Sequence, residues 1–153
     1  MKNDIDKMMT IEHENIVNWV DVYYAPGQQK LIVITDLCIC PYGQLQYQME
    51  VWSGYGEPLP EPFTLVLLSQ VMRGLNAAHE KGFFHLNLRP DNLFLMNDSD
   101  IKIGGFATIP KEQNPPIFYQ VPEYFLAEQL TSAADIWSVG CIFHELISGQ
   151  KTF

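Results

Sequence analysis

Positive charge is in short supply in this chain. Nine Lys and Arg stand against 18 Asp and Glu, a formal net charge of −9 over 153 residues, which argues against nucleic acid or an anionic membrane as the main partner. Cysteine is also scarce. Cys38, Cys40 and Cys141 make an odd set, and the two-residue step between the first pair does not match the usual zinc spacing; they read as structural thiols, with no metal site expected. No apolar run reaches the roughly 18–20 residues that span a bilayer, because "LIVITDLCIC" is broken by Asp36 and reads as a strand. The N-terminal stretch lacks the apolar core of a signal peptide, which leaves a cytoplasmic or nuclear address, and a cytoplasmic one is expected. Internal repeats and low-complexity tracts are missing too. The Asn97-Asp98-Ser99 sequon, without a secretory signal, reads as a turn.

What is present is an ordinary globular composition, 47% hydrophobic, in a length that allows one domain at most. Ile5, Met8, Met9 and Ile11 recur at helical spacing. "NIVNWVDVYY" and "KLIVIT" read as two strands joined by a turn at Ala25-Pro26-Gly27. Pro41 and Gly43 mark a linker, "QLQYQMEVW" a short helix, and "SGYGEPLPEP" a loop. A helix is expected from Thr64, as its cap, to Gly82, with Leu68, Val71, Met72, Leu75 and Ala78 on its buried face. "LFL" and "IKI" are short strands around the polar turn 97–100. The last helix should span about Ser132 to Ser148 and stop at Gly149; its wide apolar face, including Ile136, Trp137, Ile142 and Phe143, predicts burial on several sides.

The stretch "HLNLRPDN", His85 to Asn92, then "GFA" at 105–107, "VPE" at 121–123, "DIWSVG" at 135–140 and "HENIV" at 13–17 follow one another in a telling order. Together they resemble the eukaryotic protein kinase family: the catalytic loop H-R-D-L-K-P-E-N, D-F-G, A-P-E, the opening of the large buried lower-lobe helix, and the approach to the fourth upper-lobe strand. Asn87 and Gly105 lie 18 residues apart, the family's step between its base and metal positions. Arg89-Pro90-Asp91-Asn92 is similar to the serine/threonine branch. The resemblance implies an α+β, partial kinase-like fold. Residues 1–37 would be an upper-lobe remnant leading into the hinge, and 38–153 a mainly helical lower lobe truncated before its last helices. The glycine-rich loop and the phosphate-binding Lys of the family are expected to lie outside the chain.

Against that pattern the charged positions depart. The base position holds Asn87, whose amide has no useful proton affinity near neutral pH, and the D-F-G metal position holds Gly105, with no side chain. Phosphoryl transfer in the family rests on positioning and charge neutralisation, and losing a general base costs about 10²–10⁴ in rate. Leu86 replaces the Arg that would read an activation-segment phosphate. That segment keeps only Thr108 and Tyr119 as hydroxyl residues, with Pro116 where the family places a Thr. Asn92 alone remains of the metal pair and is expected to hydrogen-bond inside the loop. Arg89 keeps a positive charge able to face a phosphate. Thr35, Asp36 and Cys38, by resemblance the back wall and hinge, could hold an adenine through backbone groups.

The residues of packing stay. By resemblance, His85 and Phe106 stack with Met8 and Trp19 in a column joining the lobes, and Asp135 accepts from the backbone around His85 and Leu86. His85 is therefore read as a core histidine, and His79 and His144 receive no role. Glu123, lacking its family partner, is expected to be a stranded carboxylate. Three functions are carried forward: a catalytically inactive, serine/threonine kinase-like scaffold or allosteric partner that binds proteins; a divergent active serine/threonine kinase; and a truncated non-functional product. No cofactor is expected, with ATP and magnesium as the open alternative.

Overall fold

The structure, a computed structural model, describes residues 2–25, 30–55, 59–106, 117–126 and 128–153. Helix α1 (Lys2–Met8) leads to β1 (Trp19–Ala25) and β2 (Lys30–Thr35), which pair antiparallel with Val22 opposite Val33 and Tyr23 opposite Ile32. Their expected turn lies outside the described residues apart from Ala25. α2 (Leu45–Tyr55) buries Leu45 and Met49, and α3 (Glu61–Glu80) follows. The hairpin β3 (Leu93–Leu95) and β4 (Ile101–Ile103) comes next, then a short α4 (Pro122–Phe125) and α5 (Ser132–Ser148). No described helix is long and apolar enough to cross a membrane.

Three sequence expectations need correction here. The loop 53–62 is narrower than expected, because α2 runs on to Tyr55 and α3 starts at Glu61. Pro60, not Thr64, precedes α3; Pro62 in the first turn has no N–H to satisfy, which suits a helix start. Thr64 is inside the helix and its hydroxyl donates to Pro60 O at 3.1 Å. The buried face is also rotated: Leu67 is buried and Met72 exposed, because Gln70 and Gly74 face inward with Val71, Leu75 and Ala78. A polar residue at a core position hides the phase of a helix from any count of apolar residues. Gln70 is satisfied there: its Oε1 accepts from Asn15 Nδ2 at 2.9 Å and from Ile101 N at 3.0 Å, tying the approach to β1 onto β4.

The core lies between α2, α3, α5 and the hairpin. Alternation puts Leu93, Leu95, Ile101 and Ile103 on one buried face, and Asn97 Oδ1 closes the turn by accepting from Ser99 N and Asp100 N at 2.9 and 2.8 Å. Thr131 caps α5 by accepting from Ala133 N, and Gly149 ends it at φ 68°, the left-handed region that glycine enters at no steric cost. Val139, Cys141, Ile142 and Leu146 of α5 are buried, whereas Ile136 and Trp137 remain open to solvent. The expected burial on several sides is met on one side within the described residues.

Candidate functional site

His85 to Asn92 forms an irregular loop between α3 and β3, and one carboxylate holds its start. Asp135, fully buried in the first turn of α5, accepts from Leu86 N at 2.7 Å through one oxygen. Its other oxygen accepts from His85 N at 2.9 Å and from His79 Nε2 at 2.7 Å. The first two bonds match expectation. The third does not: His79, given no role in the sequence, is a partner of the buried acid. The only sequence signal for it was its place next to Ala78 and four residues after Leu75, at the end of the apolar face of α3. Bonds from charged acceptors are the stronger kind, and here they hold Leu86 at φ 59°, where a side chain costs about 1–2 kcal/mol.

The His85 ring is buried and packs on Phe106 with centroids 4.6 Å apart. Its Nε2 lies 2.8 Å from Gly104 O and must donate to that carbonyl, while Nδ1 accepts from Asn87 N at 3.3 Å. The ring is therefore used as a neutral tautomer, and burial pulls its pKa below the usual histidine value. Met8 and Phe106 are buried in the same core and Trp19 packs against it, in keeping with the expected column. His85 is a core histidine.

The degenerate positions come together beneath this frame. Asn92 Nδ2 donates to Asn87 O at 2.9 Å, and Asn92 O accepts from Gly104 N at 2.8 Å. Gly105 has φ 79°, and a Cβ built on it would lie 2.7 Å from Asn92 Oδ1. Asn92 thus bonds inside the loop, as expected. Arg89 is turned toward Asp91, Nε to carboxylate oxygen 3.5 Å. Thr35 ends β2 opposite Trp19, and Asp36 accepts from Asn18 Nδ2 at 3.0 Å and donates its N–H to Asn18 O at 3.0 Å. Cys38 is half-buried, and burial raises its pKa, leaving it a thiol at neutral pH. Two cavities among the described residues, about 310 and 320 Å³, are lined by other residues: one by Met49, Trp52, Leu59 and Glu145, the other by Asn15, Gln70 and Lys102.

Around Asn87 the donors do not fit a hard divalent cation, which needs several oxygen ligands and usually a carboxylate. Asn92 offers one neutral oxygen, Gly105 offers no side chain, and Asp91 faces Arg89. Among the described residues no group of three His, Cys, Asp or Glu side chains could hold a metal.

Beyond the loop, the floor under residues 117–121 is ordered. Tyr119 donates to Glu145 Oε2 at 2.6 Å and its carbonyl accepts from Ser138 Oγ at 2.8 Å. Burial first, then the Glu145 bond, pushes its pKa far above the usual range. Glu123 is half-buried without an ion pair among the described residues. Ala107, Thr108 and Pro116 lie outside them.

A helical body bearing a β3–β4 hairpin, with a loop between α3 and β3 anchored to a buried helix by one aspartate, defines the lower-lobe architecture of a protein kinase. The family model described as "Protein kinase domain" matches residues 1–153, and the chain belongs to that family. It is 33% identical over 151 residues to the mitogen-activated protein kinase HOG1 of Wallemia sebi, covering 94% of this chain and 51% of that protein. It is similarly 33% identical to HOG1A of Wallemia ichthyophaga, covering 94% and 39%. Against the mitogen-activated protein kinase sty1 of Schizosaccharomyces pombe it is 30% identical, covering 94% and 40%. The chain spans about half the length, or less, of these relatives.

Proposed function

We propose that this chain is a serine/threonine kinase-like module that no longer transfers phosphate and acts on protein partners as a scaffold or allosteric element. The observation that carries the reading is the loop itself: Asp135, His85 and Phe106 hold it in a defined, hydrogen-bonded shape, while Asn87 and Asn92 within it, and Gly105 after β4, carry no charge. An amide at the base position can orient a hydroxyl and cannot take its proton. A module with intact packing and no acid at its base and metal positions is suited to binding. Protein partners are favoured because net charge −9 disfavours polyanions.

The names of the relatives favour a second reading, a divergent active kinase passing the ATP γ-phosphate to protein. It needs an acid near Asn87. Asp91 is the candidate in the loop, and its carboxylate lies 3.5 Å from Arg89 Nε without a hydrogen bond to it. The two readings separate in a γ-phosphate transfer assay with the full-length protein, magnesium and a generic basic protein acceptor. The binding module gives no transfer above a control lacking magnesium. Turnover that depends on magnesium and is lost in Asn87→Ala establishes the active kinase instead.

A further inference from the structure

We propose that the cavity between the approach to β1, α3 and β4 is a binding site for a small, net-neutral molecule that brings an N–H donor to Asn15. The site is independent of the proposed function, since neither the loop 85–92 nor Gly105 lines it. Its mark is an acceptor without a donor. Asn15 is 3% exposed, and all but one of its polar groups are engaged. Its N–H donates to His13 Nδ1 at 3.0 Å and its carbonyl accepts from Ile103 N at 2.8 Å. Its Nδ2 donates to Gln70 Oε1 at 2.9 Å and to Ile101 O at 3.0 Å. A carbonyl oxygen can only accept, so the bond to Ile101 O fixes which end of the Asn15 amide is nitrogen. Gln70 is fixed in the same way, because Ile101 N can only donate to its Oε1. The Oδ1 atom of Asn15 is left over, buried and with no donor among the described residues. An acceptor in that state is costly, and native folds leave few of them.

Asn15 and the two residues that accept from its Nδ2, Gln70 and Ile101, line one cavity of about 320 Å³. A single water would satisfy the oxygen, but the space is that of a small-ligand site, roughly 300–1,000 Å³. The charges in the wall narrow the ligand class. Glu14 and Asp100 stand against Arg73 and Lys102, and each already has a partner. Arg73 Nη1 is 3.4 Å from Glu14 Oε1, Lys102 Nζ donates to Ile16 O at 3.3 Å, and Asp100 Oδ2 accepts from Asn97 Nδ2 at 2.6 Å. An ion of either sign would meet as many like charges as opposite ones. A neutral donor meets one open acceptor, with Met96 and Ile101 adding apolar wall.

The test compares benzamide, a neutral primary amide, with acetophenone, which has nearly the same shape and a methyl group in place of the NH2. Each is titrated into the full-length protein while backbone and side-chain amide resonances are followed by NMR. Benzamide is expected to shift Asn15, Gln70 and Ile101 saturably, in the millimolar range usual for a ligand of its size. Acetophenone should bind about tenfold more weakly or worse, since it leaves the acceptor unpaired. Met96→Trp, at a half-buried wall position, fills the cavity and should remove the benzamide shifts. Equal affinity for the two probes would show that the Asn15 oxygen recognises neither, and overturns the proposal. The absence of shifts with either probe leaves the cavity to water and overturns it too, as do shifts confined to residues outside the lining or unchanged in Met96→Trp. If that variant does not fold, the two probes on the wild-type protein decide the matter alone.

Discussion

Two regions that meet at the loop 85–92 differ in charge. The anchor keeps a fully buried carboxylate, Asp135, with three donors on its two oxygens. At the base and metal positions stand one amide, Asn87, and one glycine, Gly105, where its family carries acids. The difference is one of solvation. A buried carboxylate is surrounded by donors that have no other partner, so removing it leaves those groups unsatisfied in a medium that penalises them. Acids facing a nucleotide cleft serve a ligand and a metal, and the fold does not depend on them. Loss of the second kind is energetically cheap, and loss of the first unfolds the loop.

The comparison is broken most forcefully at Asp135. Asp135→Ala leaves His85 N, Leu86 N and His79 without their acceptor, and a loss of about 3–5 kcal/mol is expected, a large share of a typical total of about 5–15 kcal/mol. Asn87→Ala in the cleft is expected to cost about 1 kcal/mol or less, both being read from urea midpoints. Equal losses at the two positions would erase the distinction between the anchor and the base position.

Titration of His85 gives the next largest effect. Burial lowers its pKa in the folded chain, so the unfolded state binds the proton first as pH falls through about 6.5. The stability it supports is fully present above that value and is lost below it, by up to about 1.4 kcal/mol per pH unit. Melting temperatures between pH 5 and 8 should show this decline, and His85→Phe should flatten it. An unchanged slope in the variant would assign the proton to another group.

The smallest effect sharpens the comparison at its seam. Leu86 sits at φ 59° because Asp135 holds its N–H. In Leu86→Gly, relief of about 1–2 kcal/mol of strain offsets both the greater chain entropy of glycine and the missing leucine packing. The net change in the urea midpoint should correspond to about 1 kcal/mol or less. A large loss would mean that the leucine side chain, and not the held backbone, gives the loop its shape.

Most of this frame was legible in the sequence because its signals are local or ordered: the short strands, the α5 span from about Ser132 to its stop at Gly149, and the landmarks from His13 to Asp135. The α3 face was misphased because Gln70 and Gly74 face the core, the one satisfied by hydrogen bonds and the other needed for close approach to Asn15. His79 escaped notice because its partner is 56 residues away and joined to it only by the packing of α3 on α5. The identity of Asn87 and Gly105 was plain from the start. That Asn92 folds over Gly105, and that Arg89 turns to Asp91, depends on side-chain directions that spacing does not carry.

The proposed inactivity rests on uncharged residues, Asn87 and Gly105, at the base and metal positions. Calorimetric titration of ATP into the full-length protein, with and without magnesium, tests this most directly. The account predicts no magnesium-dependent gain in affinity, whatever the affinity of the nucleotide alone. Tightening by about tenfold or more on adding magnesium, abolished in Asn92→Ala, would contradict it.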